Sequence, residues 1–415
     1  MGFAYRNGTL HAEDVPLDEI ARRFGTPCYV YSRAAIAAAY AEFEGALRGR
    51  DALVCYSVKA NSNLAVLALL ARLGAGFDIV SGGELARVIA AGGDARKTLF
   101  SGVGKSEAEI EFALRNSISC INLESESELK RADAIARRLG RRAPVAFRVN
   151  PDIDAKTHPY ISTGLRETKF GVEHADAERL YAHAAAMANI EIVGIGCHIG
   201  SLLTEAAPFA AAAGRLVALL DRLEAAGIRL KHVDVGGGIG IRYKDEAQQP
   251  VAAFVAGALA ALGTRQQTVV FDPGRSIVGN AGVLLTRVEY VKPGTARSFL
   301  VVDAAMNDLI RPPLYGAWHE VRTVREPESR AAQGVYDIVG PVCESGDFLA
   351  KDRTIAAGEG DFLSIMSAGA YGMVMSSNYN SRPRAAEVLV AGSQAQLVRR
   401  RESAEELFAL ESIPG

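Results

Sequence analysis

No apolar stretch in this 415-residue sequence approaches the roughly 20 residues needed to cross a bilayer, because Gly, Asp or Arg interrupts each one. A membrane span is therefore not expected. Residues 1–14 mix charged, polar and aromatic side chains and lack the apolar core of a secretory signal, which points to the cytoplasm. Cysteine is sparse: Cys28, Cys55, Cys120, Cys197 and Cys343 are an odd number, widely separated, with no paired spacing suited to zinc or a redox dithiol. Structural disulfides and a metal site are not expected, and most of the five read as small buried hydrophobes. An excess of one charge is also missing, since 46 Lys and Arg face 48 Asp and Glu for a net charge of -2. Without a basic field, nucleic acid and anionic lipid are poor partners, and a small molecule is favoured.

What the chain does have is a recurring unit. Between about residues 50 and 280, a short β-rich run, a turn with Gly, Ser, Asn or Asp, and an Ala- and Leu-rich helical stretch follow one another repeatedly. The runs fall at 52–58, 76–80, 98–101, 119–123, 144–149, 190–198, 230–235 and 268–272, which makes eight strands. The first connecting helix has Ser62 and Asn63 as caps, then Leu64, Leu67, Leu70 and Leu73 on one face before Gly74. Eight alternating units predict an α/β fold with a closed (β/α)8 TIM-like barrel; a doubly wound open sheet is the alternative if one strand is miscounted. After Gly282 the texture changes to short alternating runs, at 283–291, 298–302, 335–339, 362–366 and 386–390, predicting a second, mostly antiparallel β domain. The barrel is thus expected over 31–280 and the β domain over 281–415, with 1–30 adding a strand to it through 28–31.

A barrel of this kind works at the carboxyl ends of its strands, so the polar residues there form one constellation. Lys59 follows the first apolar run, and burial would suit it to imine formation, although a lone lysine at a strand end is more often a surface charge. Gly236, Gly237 and Gly238 let backbone N–H groups approach an anion; by itself this run reads equally well as a flexible turn, and no Rossmann fingerprint accompanies it. His198 suits stacking on a flat ring, with a satisfied structural histidine as its plainer reading. Asp272 suits holding a pyridine nitrogen protonated, with a turn-starting Asp before Pro-Gly as its plainer reading. Amine, anion cradle, ring neighbour and distant carboxylate together match the aldehyde, phosphate, ring and ring nitrogen of pyridoxal 5'-phosphate.

With these motifs on view, the sequence resembles the diaminopimelate decarboxylase family of fold-type III pyridoxal-phosphate enzymes over nearly its whole length. The segments that carry the likeness are Tyr56-Ser57-Val58-Lys59-Ala60-Asn61, residues 77–85 and 158–164, His198-Ile199-Gly200-Ser201, Pro273-Gly274-Arg275-Ser276, residues 306–312, Cys343-Glu344-Ser345-Gly346-Asp347 and Ala368-Gly369-Ala370-Tyr371. The resemblance implies Lys59 as the Schiff-base lysine, His198 as the stacking residue, Ser201, Gly238 and Tyr371 as phosphate contacts, and Asp78 and Arg148 as supporting cofactor contacts. For substrate it implies Arg275, Arg311 and Tyr315 around a distal carboxylate and Glu344 near the distal amine, with Tyr371 also on the substrate side. Cys343 would be a catalytic thiol delivered by the partner subunit of a homodimer, able to protonate a carbanion. Three departures stand out: Asp272 replaces the usual glutamate before Pro-Gly-Arg, Leu202 stands where glutamine is common, and Pro313 and Gly316 replace a common alanine and glutamine.

The activity this implies is decarboxylation of meso-2,6-diaminopimelate to L-lysine, the last step of lysine biosynthesis. The alternatives are a related decarboxylase of lysine, ornithine, arginine or a carboxylated polyamine, and a non-catalytic pyridoxal-phosphate carrier. A carrier would not need the region after Gly282.

Overall fold

The computed structural model describes residues 2–153, 169–327 and 333–414. They divide into two units, one comprising Ala39–Ile241 with Ala247–Ser276, the other Met1–Ala38, Arg242–Glu246 and Ile277–Gly415.

In the first unit eight parallel strands close on themselves: Ala52–Ser57, Gly76–Ile79, Thr98–Phe100, Cys120–Leu123, Ala143–Asn150, Ile190–Gly196, His232–Asp234 and Thr268–Phe271. Closure is made where the eighth strand meets the first, with Phe271 opposite Val54. Each expected run coincides with a strand: seven are trimmed where the chain leaves the ladder, and the fifth, expected over 144–149, extends by one residue at each end. Alternate residues point inward, and Cys55, Leu99, Cys120, Ala146, Val193 and Val270 meet as one buried cluster inside the barrel. Outside it, Phe271 stacks on Phe209 with ring centroids 6.0 Å apart, and Phe209 meets Phe254 edge-on at 5.9 Å, which seats the helices Ala207–Ala225 and Val251–Leu262.

The first connecting helix, Leu64–Arg72, is capped by Asn63, whose side chain accepts from Ala65 N at 2.9 Å. Its buried stripe is Val66, Leu67, Leu69 and Leu70. Leu64, expected on that stripe, is 44% exposed, and Leu73 lies at the C-cap, so the apolar face is displaced toward the middle of the helix.

The second unit holds a mixed, mostly antiparallel sheet. Gly282–Lys292 pairs antiparallel with Ser298–Val302, Phe362–Ile365 and Cys28–Ser32, and Cys28–Ser32 pairs in parallel with Ala386–Ala391. Val321–Thr323, a three-residue strand, lies outside the expected set, and so do two longer strands, Phe348–Ile355 and Gln394–Arg399. Both occupy sheet edges, where Lys351, Asp352, Gln394 and Gln396 face water and break the apolar alternation that marks an interior strand. The core beneath gathers Leu10, Leu17, Ile20, Val30, Val283, Leu285, Val388 and Val390.

Four cysteines are buried and Cys343 is exposed. Burial pushes the Cys28 thiol up to about 12 and raises those of Cys55, Cys120 and Cys197. Among the described residues no helix is long and apolar enough to cross a membrane.

Candidate active site

At the carboxyl end of the barrel the first strand stops at Ser57 and the chain tightens into the 3-10 turn Val58–Ala60, which carries Lys59. The Lys59 side chain is 36% exposed, so the deep burial expected of it is not what surrounds it. Instead its Nζ donates to Asp78 Oδ2 at 3.2 Å. Asp78, on the second strand, is buried and held from both sides, since Ser57 Oγ lies 3.1 Å from Oδ2 and Ser101 Oγ donates to Oδ1 at 2.6 Å. Asn122 Nδ2 in turn donates to Ser101 Oγ at 3.1 Å. A lysine tethered by an already occupied carboxylate is oriented without being sealed off from an entering carbonyl carbon.

Opposite this corner, the seventh strand runs from Asp234 into Gly236, Gly237 and Gly238. A Cβ on Gly237 would lie 2.4 Å from Asp272 O, and one on Gly238 only 2.0 Å from Gly200 O; Gly238 also has φ +82, which L side chains rarely adopt. Glycine is therefore required at both positions by the close approach of the neighbouring loops. Asp234 anchors the run by accepting from Gly236 N at 2.9 Å. Burial first, and the nearby charge of Asp272 second, raise the Asp234 carboxyl well above the usual carboxylate range.

The eighth strand ends before Asp272, whose Oδ1 lies 3.8 Å from His198 Nδ1 and, though buried, has no hydrogen-bond partner among the described residues. A buried carboxylate oxygen without a donor is costly unless something supplies one. Arg275, three residues on, is buried and donates from Nη2 to Ser201 Oγ at 3.4 Å. Arg148, on the fifth strand, lies with Nη1 3.7 Å from Glu124 Oε1 and its Cζ 4.7 Å from the centre of the Phe170 ring.

The barrel thus brings together Lys59, Asp78, Arg148, His198, Ser201, Gly236, Gly237, Gly238, Asp272 and Arg275. The other five candidates, Arg311, Tyr315, Cys343, Glu344 and Tyr371, belong to the second unit. There the helix Arg311–Tyr315 starts with a buried arginine whose Nη1 donates to His319 Nε2 at 2.8 Å. An arginine can only donate, so His319 carries its proton on Nδ1, which lies 2.8 Å from Met366 O. The Tyr243 ring lies 4.6 Å from the Arg311 guanidinium carbon. Cys343 and Glu344 are exposed on a loop pinned by buried Asp347, which accepts from Met306 N at 2.7 Å and Val342 N at 2.9 Å. Tyr371 is half-buried with φ +55. The motif at 158–164 lies outside the described residues.

Several residues of the barrel site had not been singled out. Ser57, Ser101 and Asn122 are ordinary strand-end polar residues, and nothing local marks them as a network around Asp78. Asp234 did carry a signal, an acid inside the apolar run before three glycines. Glu84, quoted only as part of a turn, accepts from Val80 N at 2.7 Å, and burial pushes its carboxyl up to about 7, with the charge of Asp78 adding to the shift.

A partly exposed lysine amine, a glycine run free of side chains and a buried carboxylate oxygen open to a donor, all at one barrel mouth, fit the demands of pyridoxal phosphate. This is the class of protein the comparisons return: residues 33–279 match the family described as pyridoxal-dependent decarboxylase, pyridoxal binding domain. A diaminopimelate decarboxylase of Pseudomonas aeruginosa is 58% identical over 412 residues, covering 99% of each chain, and one of Vibrio cholerae is 53% identical, covering 98% of this chain and 97% of the relative. Among solved structures, diaminopimelate decarboxylase from Helicobacter pylori complexed with L-lysine superposes with a TM-score of 0.92 at 43% identity, covering 95% of this chain and 99% of that one. The chain belongs to the diaminopimelate decarboxylase family.

Proposed function

We propose that the protein binds pyridoxal 5'-phosphate at the mouth of its barrel and decarboxylates meso-2,6-diaminopimelate to L-lysine and carbon dioxide. The observation that carries this reading is the convergence of Lys59, the glycine run and the undonated Asp272 oxygen on one barrel end. The relatives' shared name and the lysine held in the Helicobacter pylori structure support the substrate and product.

When bound, the cofactor supplies an electron sink for the pair left behind as carbon dioxide departs. Lys59 would hold it covalently through Nζ, with Asp78 orienting that amine. Asp272 would keep a proton at the ring nitrogen, His198 would flank the ring, and Arg148 would support the cofactor from the fifth strand. Gly236, Gly237, Gly238 and Ser201 would take the phosphate together with Tyr371. We assign Arg275, Arg311 and Tyr315 to the distal carboxylate end of the substrate and Glu344 to its distal amine, with Tyr371 also on the substrate side.

The thiol of Cys343 would donate a proton to the substrate carbon, reaching it from the partner subunit of a homodimer in the cytoplasm. Exposure of Cys343 and Glu344 in the single chain, on a loop held rigid by Asp347, supports a partner-completed site.

Incubation of the purified protein with cofactor and meso-diaminopimelate should give lysine and carbon dioxide in equal amounts. Absence of both at saturating cofactor would overturn the substrate assignment. Lys59→Ala should remove the visible absorbance of the covalently held cofactor; an unchanged spectrum would take that role from Lys59.

A further inference from the structure

One cation lies wholly inside the barrel wall. The Lys105 side chain has 0% exposure, and its Nζ donates to Gly102 O at 2.7 Å, Asn122 O at 2.6 Å and Glu128 Oε1 at 2.7 Å, so all three ammonium N–H groups are used. The Phe100 ring lies 5.5 Å from the same nitrogen. A buried pair of this kind gains little stability over an apolar filling of the same volume, because both ions must be dehydrated. What it does provide is fixed geometry.

That geometry leads to the site. Glu128 uses its second oxygen to accept from Glu124 N at 2.7 Å, which locks the residue just past the fourth barrel strand. Glu124 in turn accepts from Gly102 N at 3.1 Å and Gly171 N at 2.7 Å, and its Oε1 stands 3.7 Å from Arg148 Nη1. Arg148 has a buried Nε and Nη2 with no hydrogen-bond partner among the described residues, so Glu124 is the carboxylate that orients it there.

We propose that Lys105 and Glu128 are positioning residues which, through Glu124, set Arg148 at the cofactor site. The inference rests on the cofactor reading above. In that reading Arg148 meets the cofactor, while Lys105 and Glu128 touch neither cofactor nor substrate and act only along this chain of contacts.

The test uses the full-length protein stripped of cofactor and titrated with pyridoxal phosphate, reading the dissociation constant and the visible band. Lys105→Met and Lys105→Met/Glu128→Gln should weaken binding about tenfold or more, the range typical of outer residues that orient a primary contact. The double variant leaves no buried charge unpaired, although Gly102 O and Asn122 O lose a donor, so its binding is read after a thermal melt has shown it folded. Added to Arg148→Met, Lys105→Met should cost little further, because residues acting through one another are not additive. Parental affinity in the folded double variant, or a full tenfold loss on top of Arg148→Met, would overturn the proposal. Should Lys105→Met not fold, Glu124→Gln decides the matter by the same two measurements. If the parent itself shows no cofactor band that Lys59→Ala abolishes, the cofactor reading fails instead.

Discussion

Replacing Asp272 by asparagine tests the central feature of the site. Asp272 is 7% exposed, its Oδ1 has no hydrogen-bond partner among the described residues, and His198 Nδ1 lies 3.8 Å from that oxygen. A protonated ring nitrogen placed there would make a charge-assisted bond worth about 1.5–3 kcal/mol, or roughly 10- to 150-fold in affinity. Asparagine still offers an oxygen but no negative charge, so it should lose most of that gain. Cofactor affinity of Asp272→Asn, measured by visible absorbance, should fall about tenfold or more. Turnover, followed as carbon dioxide release, should fall further, since a neutral partner no longer stabilises a proton on the ring. The length of the acid matters separately: Asp272→Glu supplies the longer acid that the family resemblance implies here and should retain or raise turnover. Unchanged affinity and turnover in Asp272→Asn would refute the assignment of Asp272 to the ring nitrogen, and loss of all activity in Asp272→Glu would show a site fitted to the shorter acid.

A methyl group on Gly238 would meet Gly200 O at 2.0 Å in a left-handed backbone, so Gly238→Ala should cost about 2 kcal/mol or more in a denaturant melt and also weaken cofactor binding; parental stability would mean the loop is free to move. Glu84, raised to about 7, binds more protons folded than unfolded, so its contribution to stability is full below the ordinary value near 4.5 and is lost as pH climbs through about 7. Glu84→Gln should therefore gain stability relative to the parent at pH 8 but not at pH 4, by urea unfolding at each pH; an equal difference at both would show that Glu84 is not linked to protons. If Cys343 serves the partner's site, mixing Lys59→Ala and Cys343→Ala subunits after dissociation should restore about a quarter of parental activity, because half the dimers are then mixed and each of those has one intact site. No recovery would place both residues in the same subunit's site.

The barrel was legible because its signal is repeated. Eight apolar runs separated by helical stretches leave few ways to close a sheet, and strand-end polarity marks the mouth without any knowledge of pairing. The polar edge strands Phe348–Ile355 and Gln394–Arg399 carried no such signal, since one neighbour and a wet face remove the need for alternating apolar residues. The displaced face of helix Leu64–Arg72 has a similar origin: leucine spacing shows that a helix has an apolar side, but the strands beneath decide which leucine reaches them.

By itself, the order of residues along this chain determined the fold class and placed Lys59, the run Gly236-Gly237-Gly238 and the acid before Pro-Gly-Arg at one barrel end, because each depends on local pattern and on the common end at which barrel strands finish. Only the tertiary structure decided how Lys59 is held, half-exposed and paired with Asp78 rather than buried. It alone showed the serines that hold Asp78, the raised acid of Asp234 and the enclosed Lys105 that leads to Arg148. Those features depend on which side chains different strands bring into contact, and distances between strands are set by closure of the sheet, not by neighbours in sequence.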